Sequence, residues 1–165
     1  MSLSIERLEK RLEDMFSMVE GLPENEAKAK LAEYLCIRTS GLLETVVKQL
    51  VSEFMDGSSQ QEADRYVKSK MKSVTNLKHP KLEKLLESFS IDWQSRYAQS
   101  VSEPEKASLN SIVDLRNSMA HGGMQTTSYR NVKEHYNNVK SVIGHLKTII
   151  RKAPPRATSK KAARP

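Results

Sequence analysis

Arg116, Asn117 and His121 fall within six residues of one another, in the stretch Ile-Val-Asp-Leu-Arg-Asn-Ser-Met-Ala-His-Gly-Gly from Ile112 to Gly123. Their types suit chemistry on a phosphate ester. A guanidinium forks onto two phosphate oxygens at once, and an imidazole gives or takes a proton near neutral pH. A carboxamide between them can orient either group. The histidine also stands at an open end, with small Ala120 before it and Gly122 and Gly123 after it, so its ring can be approached.

Spacing places the three residues on different faces. At about 100° per residue, Leu109, Ile112, Val113, Met119 and Ala120 make an apolar stripe with Arg116 inside it, while Asn110, Asp114, Asn117 and His121 make a polar stripe alongside. Arg116 and His121 are then about 140° apart, so the helix must loosen near the glycines, or a second chain must contribute, for both to meet one ligand. An arginine in an apolar stripe needs a partner, because an unpaired buried charge is costly. It is either a structural ion pair, an interface residue or an anion-binding group. Glu44 offers an acidic partner, and Arg38, at the edge of the apolar arc of its own helix, is either a snorkelling surface arginine or a second member of the site.

Pattern alone does not decide. Arg130-Asn131-Val-Lys-Glu-His135 repeats the spacing fourteen residues later. There the histidine lies on an apolar stripe between Val132 and Val139, which reads as a packed histidine, and this copy is set aside.

The elements that must carry these residues read as helices throughout, because apolar residues recur at three and four rather than alternating. The pattern predicts a first helix over about 4–20, with Gly21 as its C-terminal cap, and a long central one over about 24–55 whose apolar arc runs from Leu31 to Phe54. A third helix follows, opened by Ser59 and Glu62 at capping-box spacing, and runs to about Asn76. His79-Pro80 reads as a break with His79 in a loop. A kinked helix follows over about 82–99, in which Trp93 and Tyr97 pack on the body. Ser102 and Glu105 cap the helix that carries Arg116, and a final helix spans about 128–152, with His145 off its apolar stripe and facing solvent. The expected architecture is all-α, an antiparallel bundle of about five to six helices over residues 1–152. Residues 153–165, composed of Ala, Ser, Thr, Lys, Arg and Pro, form a tail expected to be disordered.

Composition narrows the function classes. The net charge is +7, yet Arg151, Lys152, Arg156, Lys160, Lys161 and Arg164 supply six of the 27 basic residues, leaving 21 against 20 acidic ones. The body is nearly neutral, and general nucleic-acid affinity belongs to the tail. The single cysteine, Cys36, flanked by Leu35 and Ile37, reads as a buried thiol; it rules out an internal disulfide and suits a reducing cytoplasm. No secretory leader and no apolar run of about 20 residues is present, so a soluble protein without a membrane partner is expected.

Leu115-Arg116-Asn117-Ser-Met-Ala120-His121-Gly122 resembles the R-N-x-x-x-H signature of HEPN domains, in the style of the bacterial RiboL-PSP and MAE-type members. Arg38-Thr-Ser-Gly-Leu-Leu-Glu44 resembles a segment that such members carry. The resemblance implies a two-fold homodimer whose motif helices face one cleft. It also implies a metal-independent endoribonuclease, of the kind used as a toxin or antiphage effector, with RNA as substrate and with no cofactor or metal. Under it His121 is general base or acid at the ribose 2′-hydroxyl, Arg116 holds the phosphate, and Asn117 orients one or the other. Members governed by a nucleotidyltransferase antitoxin carry a tyrosine where this chain has Gly123, so control of that form is not implied. Two other readings stand beside the nuclease: a non-catalytic dimeric module that binds RNA or nucleotide, and a helical protein-interaction domain.

Overall fold

The N-terminal helix starts where Ser4 can cap it, its Oγ accepting the backbone N–H of Arg7 at 3.3 Å. The computed structural model describes residues 3–56, 61–123 and 127–151, and among these it contains helices and no strand. They are α1 (Ile5–Glu20), α2 (Glu26–Met55), α3 (Gln61–Lys72), α4 (His79–Phe89), α5 (Ile91–Ser100), α6 (Glu103–Ala120) and α7 (Tyr129–Arg151). The all-α expectation holds, with seven helices among the described residues instead of five to six. Ser90 accounts for the difference. Its extended backbone (φ −162°, ψ 124°) stops α4, and its Oγ accepts the Trp93 N–H to start α5. The Ser59 cap and the tail at 153–165 lie outside the described residues.

The long helix α2 is the axis of the bundle, packed against α1, α6, α7 and α3. Leu35, Cys36, Leu43, Val46, Val47, Leu50 and Val51 are buried along it, although Leu31 and Phe54, expected on the same arc, are exposed. Phe54 instead lays its ring edge-on to Trp93 at 4.8 Å, where the end of α2 meets α5. Trp93 and Tyr97 are buried as expected. Burial raises the Cys36 thiol to about 11, so it is an inert core group. Helix α7 completes the core, its Tyr136 stacked on Phe16 of α1 at 4.2 Å between ring centres. Around that contact run ion pairs from Lys140 to Glu13 at 2.7 Å, from Lys147 to Glu9, and from Arg151 to Glu6 at 3.0 Å and Glu53 at 3.2 Å.

Two expectations from the sequence are corrected by what surrounds the residues. Gly21 is the C-cap of α1 as expected, but with a right-handed φ of −74°, so what is corrected is only how that end is closed. The end of α1 is satisfied by buried Lys28, whose Nζ donates to the carbonyls of Glu20 and Leu22 at 3.1 Å each and to the Glu24 carboxylate at 2.6 Å. Its ammonium also sits 5.0 Å from the centre of the Tyr129 ring. His145 does not face solvent freely. Its Nε2 lies 3.2 Å from buried Glu105, which also accepts from the Ser102 N–H at 2.7 Å and so closes the cap of α6. Burial pushes the Glu105 carboxyl up, but hydrogen bonds from Ser141 and Ser102 outweigh it and leave that carboxyl below its ordinary range.

Replacing Lys28 by Met would strand these carbonyls beneath Tyr129. A loss of about 2 kcal/mol in stability is expected, read from urea unfolding followed by circular dichroism. An unchanged midpoint would mean that water satisfies the carbonyls and that Lys28 holds nothing together.

Candidate functional site

The polar face of α6 divides into two parts. In its first part, the Asn110 Oδ1 accepts the His79 backbone N–H at 2.9 Å, and Asp114 pairs with Lys78. These contacts fasten the 73–79 segment to α6. His79 is therefore not a loop residue: it opens α4, half-buried, with Nδ1 3.0 Å from the Tyr97 hydroxyl. In its second part the same face carries Asn117 and His121. Neither side chain has a hydrogen bond or ion pair with any described residue.

The fastened segment also holds the arginine. Buried Val74 and Leu77 anchor it on either side of Asn76, which adopts a left-handed backbone at φ +51°. That conformation costs asparagine less than most residues. It turns the Asn76 N–H onto the Glu44 carboxylate of α2 at 2.7 Å and presents its Oδ1 to the Arg116 guanidinium, which donates to it. The same Glu44 oxygen lies 3.9 Å from Arg116. The acidic partner expected from α2 is present, with Asn76 wedged between the two charges. Glu44 is largely shielded, whereas the Arg116 side chain keeps 33% of its surface exposed. Arg116 is thus less buried than its stripe suggested, because the apolar burial of α6 ends at Ile112 and Val113 and fades toward Ala120. Its exposed part lines a groove of about 280 Å³ between α1 and α2, shared with Arg38.

His121 caps α6 and is exposed, its backbone N–H bonded to the Asn117 carbonyl at 3.1 Å. The glycines that follow have local reasons to be there. Gly122 takes a left-handed φ of +73°, and the Gly123 N–H returns to the Ser118 carbonyl at 2.8 Å, the paired bonds of a Schellman turn. A Cβ on Gly123 would fall 2.4 Å from Ser118 Oγ. The helix stays regular to Ala120, so it does not loosen to bring the imidazole round. His121 does not line the groove that Arg116 lines. One chain therefore supplies both groups on neighbouring faces of one helix end without joining them.

The repeated motif is explained by its surroundings. His135 is half-buried against α6, its Nδ1 3.1 Å from Ser108 Oγ, which also accepts from Asn138 at 2.8 Å. Burial lowers its pKa, so it is held neutral as a packing group.

A family model described as RiboL-PSP-HEPN matches residues 4–152. The chain belongs to the RiboL-PSP-HEPN family. No curated protein and no solved structure matches it. The HEPN resemblance carried by Arg116, Asn117 and His121 thus extends to nearly the whole helical body. Among the described residues, no three His, Cys, Asp or Glu side chains converge as a metal-ligand set would, and no helix is long and apolar enough to cross a membrane.

The Glu44–Asn76–Arg116 bracket makes a direct prediction. Glu44→Ala leaves the Asn76 N–H and one face of Arg116 without their acceptor, at an expected cost of about 2 kcal/mol in chemical denaturation. Glu44→Gln keeps an acceptor oxygen and should cost less than half as much. Equal costs would place the charge, and not the hydrogen bond, at the centre of the bracket.

Proposed function

We propose that this HEPN protein is a metal-independent endoribonuclease that works as a two-fold dimer, of the kind used as a toxin or antiphage effector. The observation that carries the reading is the end of α6. Among the described residues Asn117 and His121 are left without a side-chain partner, on a face where Asn110 and Asp114 are engaged, beside an arginine that lines a groove. In this reading His121 removes the proton from a ribose 2′-hydroxyl. The 2′-oxygen attacks the adjacent phosphorus, the bond to the 5′-oxygen breaks, and a proton returns to that oxygen. The products are a 2′,3′-cyclic phosphate and a free 5′-hydroxyl. Arg116 neutralises the charge that builds on the non-bridging oxygens, and Asn117 orients the imidazole. DNA lacks the nucleophile and should not be cut.

The same geometry supports the dimer. Arg116 and His121 stay apart within one regular helix, which supports a reading in which a second copy supplies the missing group. The surface available for it adjoins the groove: Met18 is 75% exposed, and Leu22, Leu31, Tyr34 and Ile37 are exposed along the same α1–α2 face. An apolar run of this kind beside an incomplete site suits a second copy that covers it.

The direct test is cleavage of RNA in EDTA. His121→Ala should slow it by about 10²–10⁴-fold and Arg116→Ala by about 10²–10³-fold, with the fold intact by circular dichroism. Full cleavage by a clean His121→Ala preparation would sink the assignment. Saturable RNA binding without products would turn it into that of a non-catalytic binding module. The composite site has its own test: mixing the Arg116→Ala and His121→Ala proteins after dissociation should restore about a quarter of wild-type activity, because half the dimers are mixed and each holds one intact pair. No recovery would mean that each chain serves its own site.

A further inference from the structure

We infer that Arg38 is a second phosphate-gripping residue and that the groove between α1 and α2 is the track along which a single RNA strand enters; this rests on the reading of Arg116 as a phosphate ligand. Arg38 comes from α2 and Arg116 from α6, yet both line the same 280 Å³ groove. No acidic residue lines it. Glu44, the carboxylate that lies 3.9 Å from Arg116, also accepts the Asn76 N–H. Arg38 is exposed and makes no ion pair or hydrogen bond with any described residue. Two guanidiniums on one groove repel each other unless an anion lies between or alongside them, and a phosphate chain supplies that charge at a regular spacing.

The rest of the groove suits the remainder of a nucleotide. Leu8 and Leu12 of α1 and Leu42 of α2 give it an apolar floor on which a ribose or base can lie. Gly41 leaves its wall open, since a Cβ built there would meet nothing within 4 Å. A glycine inside a helix costs about 1 kcal/mol relative to alanine. Here it leaves room beside Arg38, one turn from the Thr45 wall, where a strand can come close to the helix backbone.

The test uses the full chain carrying His121→Ala, so that RNA is bound and not consumed, with a labelled single-stranded RNA oligomer in EDTA at several potassium chloride concentrations. Arg38→Ala should weaken binding about tenfold, the loss of one charge-assisted contact, and reduce the log–log salt slope by about 0.7. Arg65→Ala, which removes the same charge from exposed α3, should do neither. Gly41→Leu should weaken binding while melting at or above the parent temperature, because it fills the groove with a good helix former. The proposal is overturned if Arg38→Ala behaves like Arg65→Ala while Arg116→Ala weakens binding; the nuclease reading survives that outcome. If both arginines matter for binding but the unmodified protein cleaves no RNA, the groove stands and the nuclease reading falls.

Discussion

The structure around the candidate site depends on one carboxylate. Glu44 stands at the middle of α2, largely shielded, and one of its oxygens both receives the backbone N–H of Asn76 and approaches the Arg116 guanidinium. Without it, the 73–79 segment would have an unpaired N–H at the residue whose left-handed backbone turns the chain, and Arg116 would lose its counter-charge among the described residues. A surface ion pair is worth little. A shielded acceptor shared by a turn and a guanidinium is different, because removing it strands two donors at once. It also fixes three elements relative to one another: the central helix, the connection into α4, and the last two turns of α6.

That constraint explains how one helix face serves two purposes. Asn110 and Asp114 are committed to the backbone of His79 and the side chain of Lys78, so the first part of the stripe is structural. Two turns on, the connection has passed, and the side chains of Asn117 and His121 make no hydrogen bond or ion pair with any described residue. The Schellman turn then fixes where the imidazole stands by ending α6 abruptly, through the φ of Gly122 and the close approach of Gly123 to Ser118.

The sequence made the helices legible because each carries an apolar stripe of helical period and several begin with a side chain able to cap them. Ser4, Ser90 and Glu105 do in the structure what their types and positions imply. What escaped were contacts between residues far apart in the chain. Nothing in the spacing marks Lys28 out, and only the fold shows it buried beneath Tyr129 with the end of α1 around it. Asn76 looked like the end of a helix; its weight comes from Glu44, thirty-two residues earlier, and Arg116, forty later. His79 before a proline suggested a break, yet proline is at home in a first turn, and α4 starts there. Glu44 itself was visible as a possible counter-charge, but not the asparagine between.

The two Arg-Asn-x-x-x-His copies show why spacing could not have chosen between them. Both are helical, and both place the histidine four residues after an asparagine. In the second copy the imidazole is pressed against α6, hydrogen-bonded to Ser108 and kept neutral by burial, so its proton is tied into packing. In the first, the imidazole is exposed at a helix end and the arginine five residues before it is held by Asn76 and Glu44, with its open side on a groove. The difference lies in what packs against each copy. Among the described residues His135 has its partner in Ser108, whereas His121 has none beside a braced cation, and it is this contrast that supports the proposed role of the first copy.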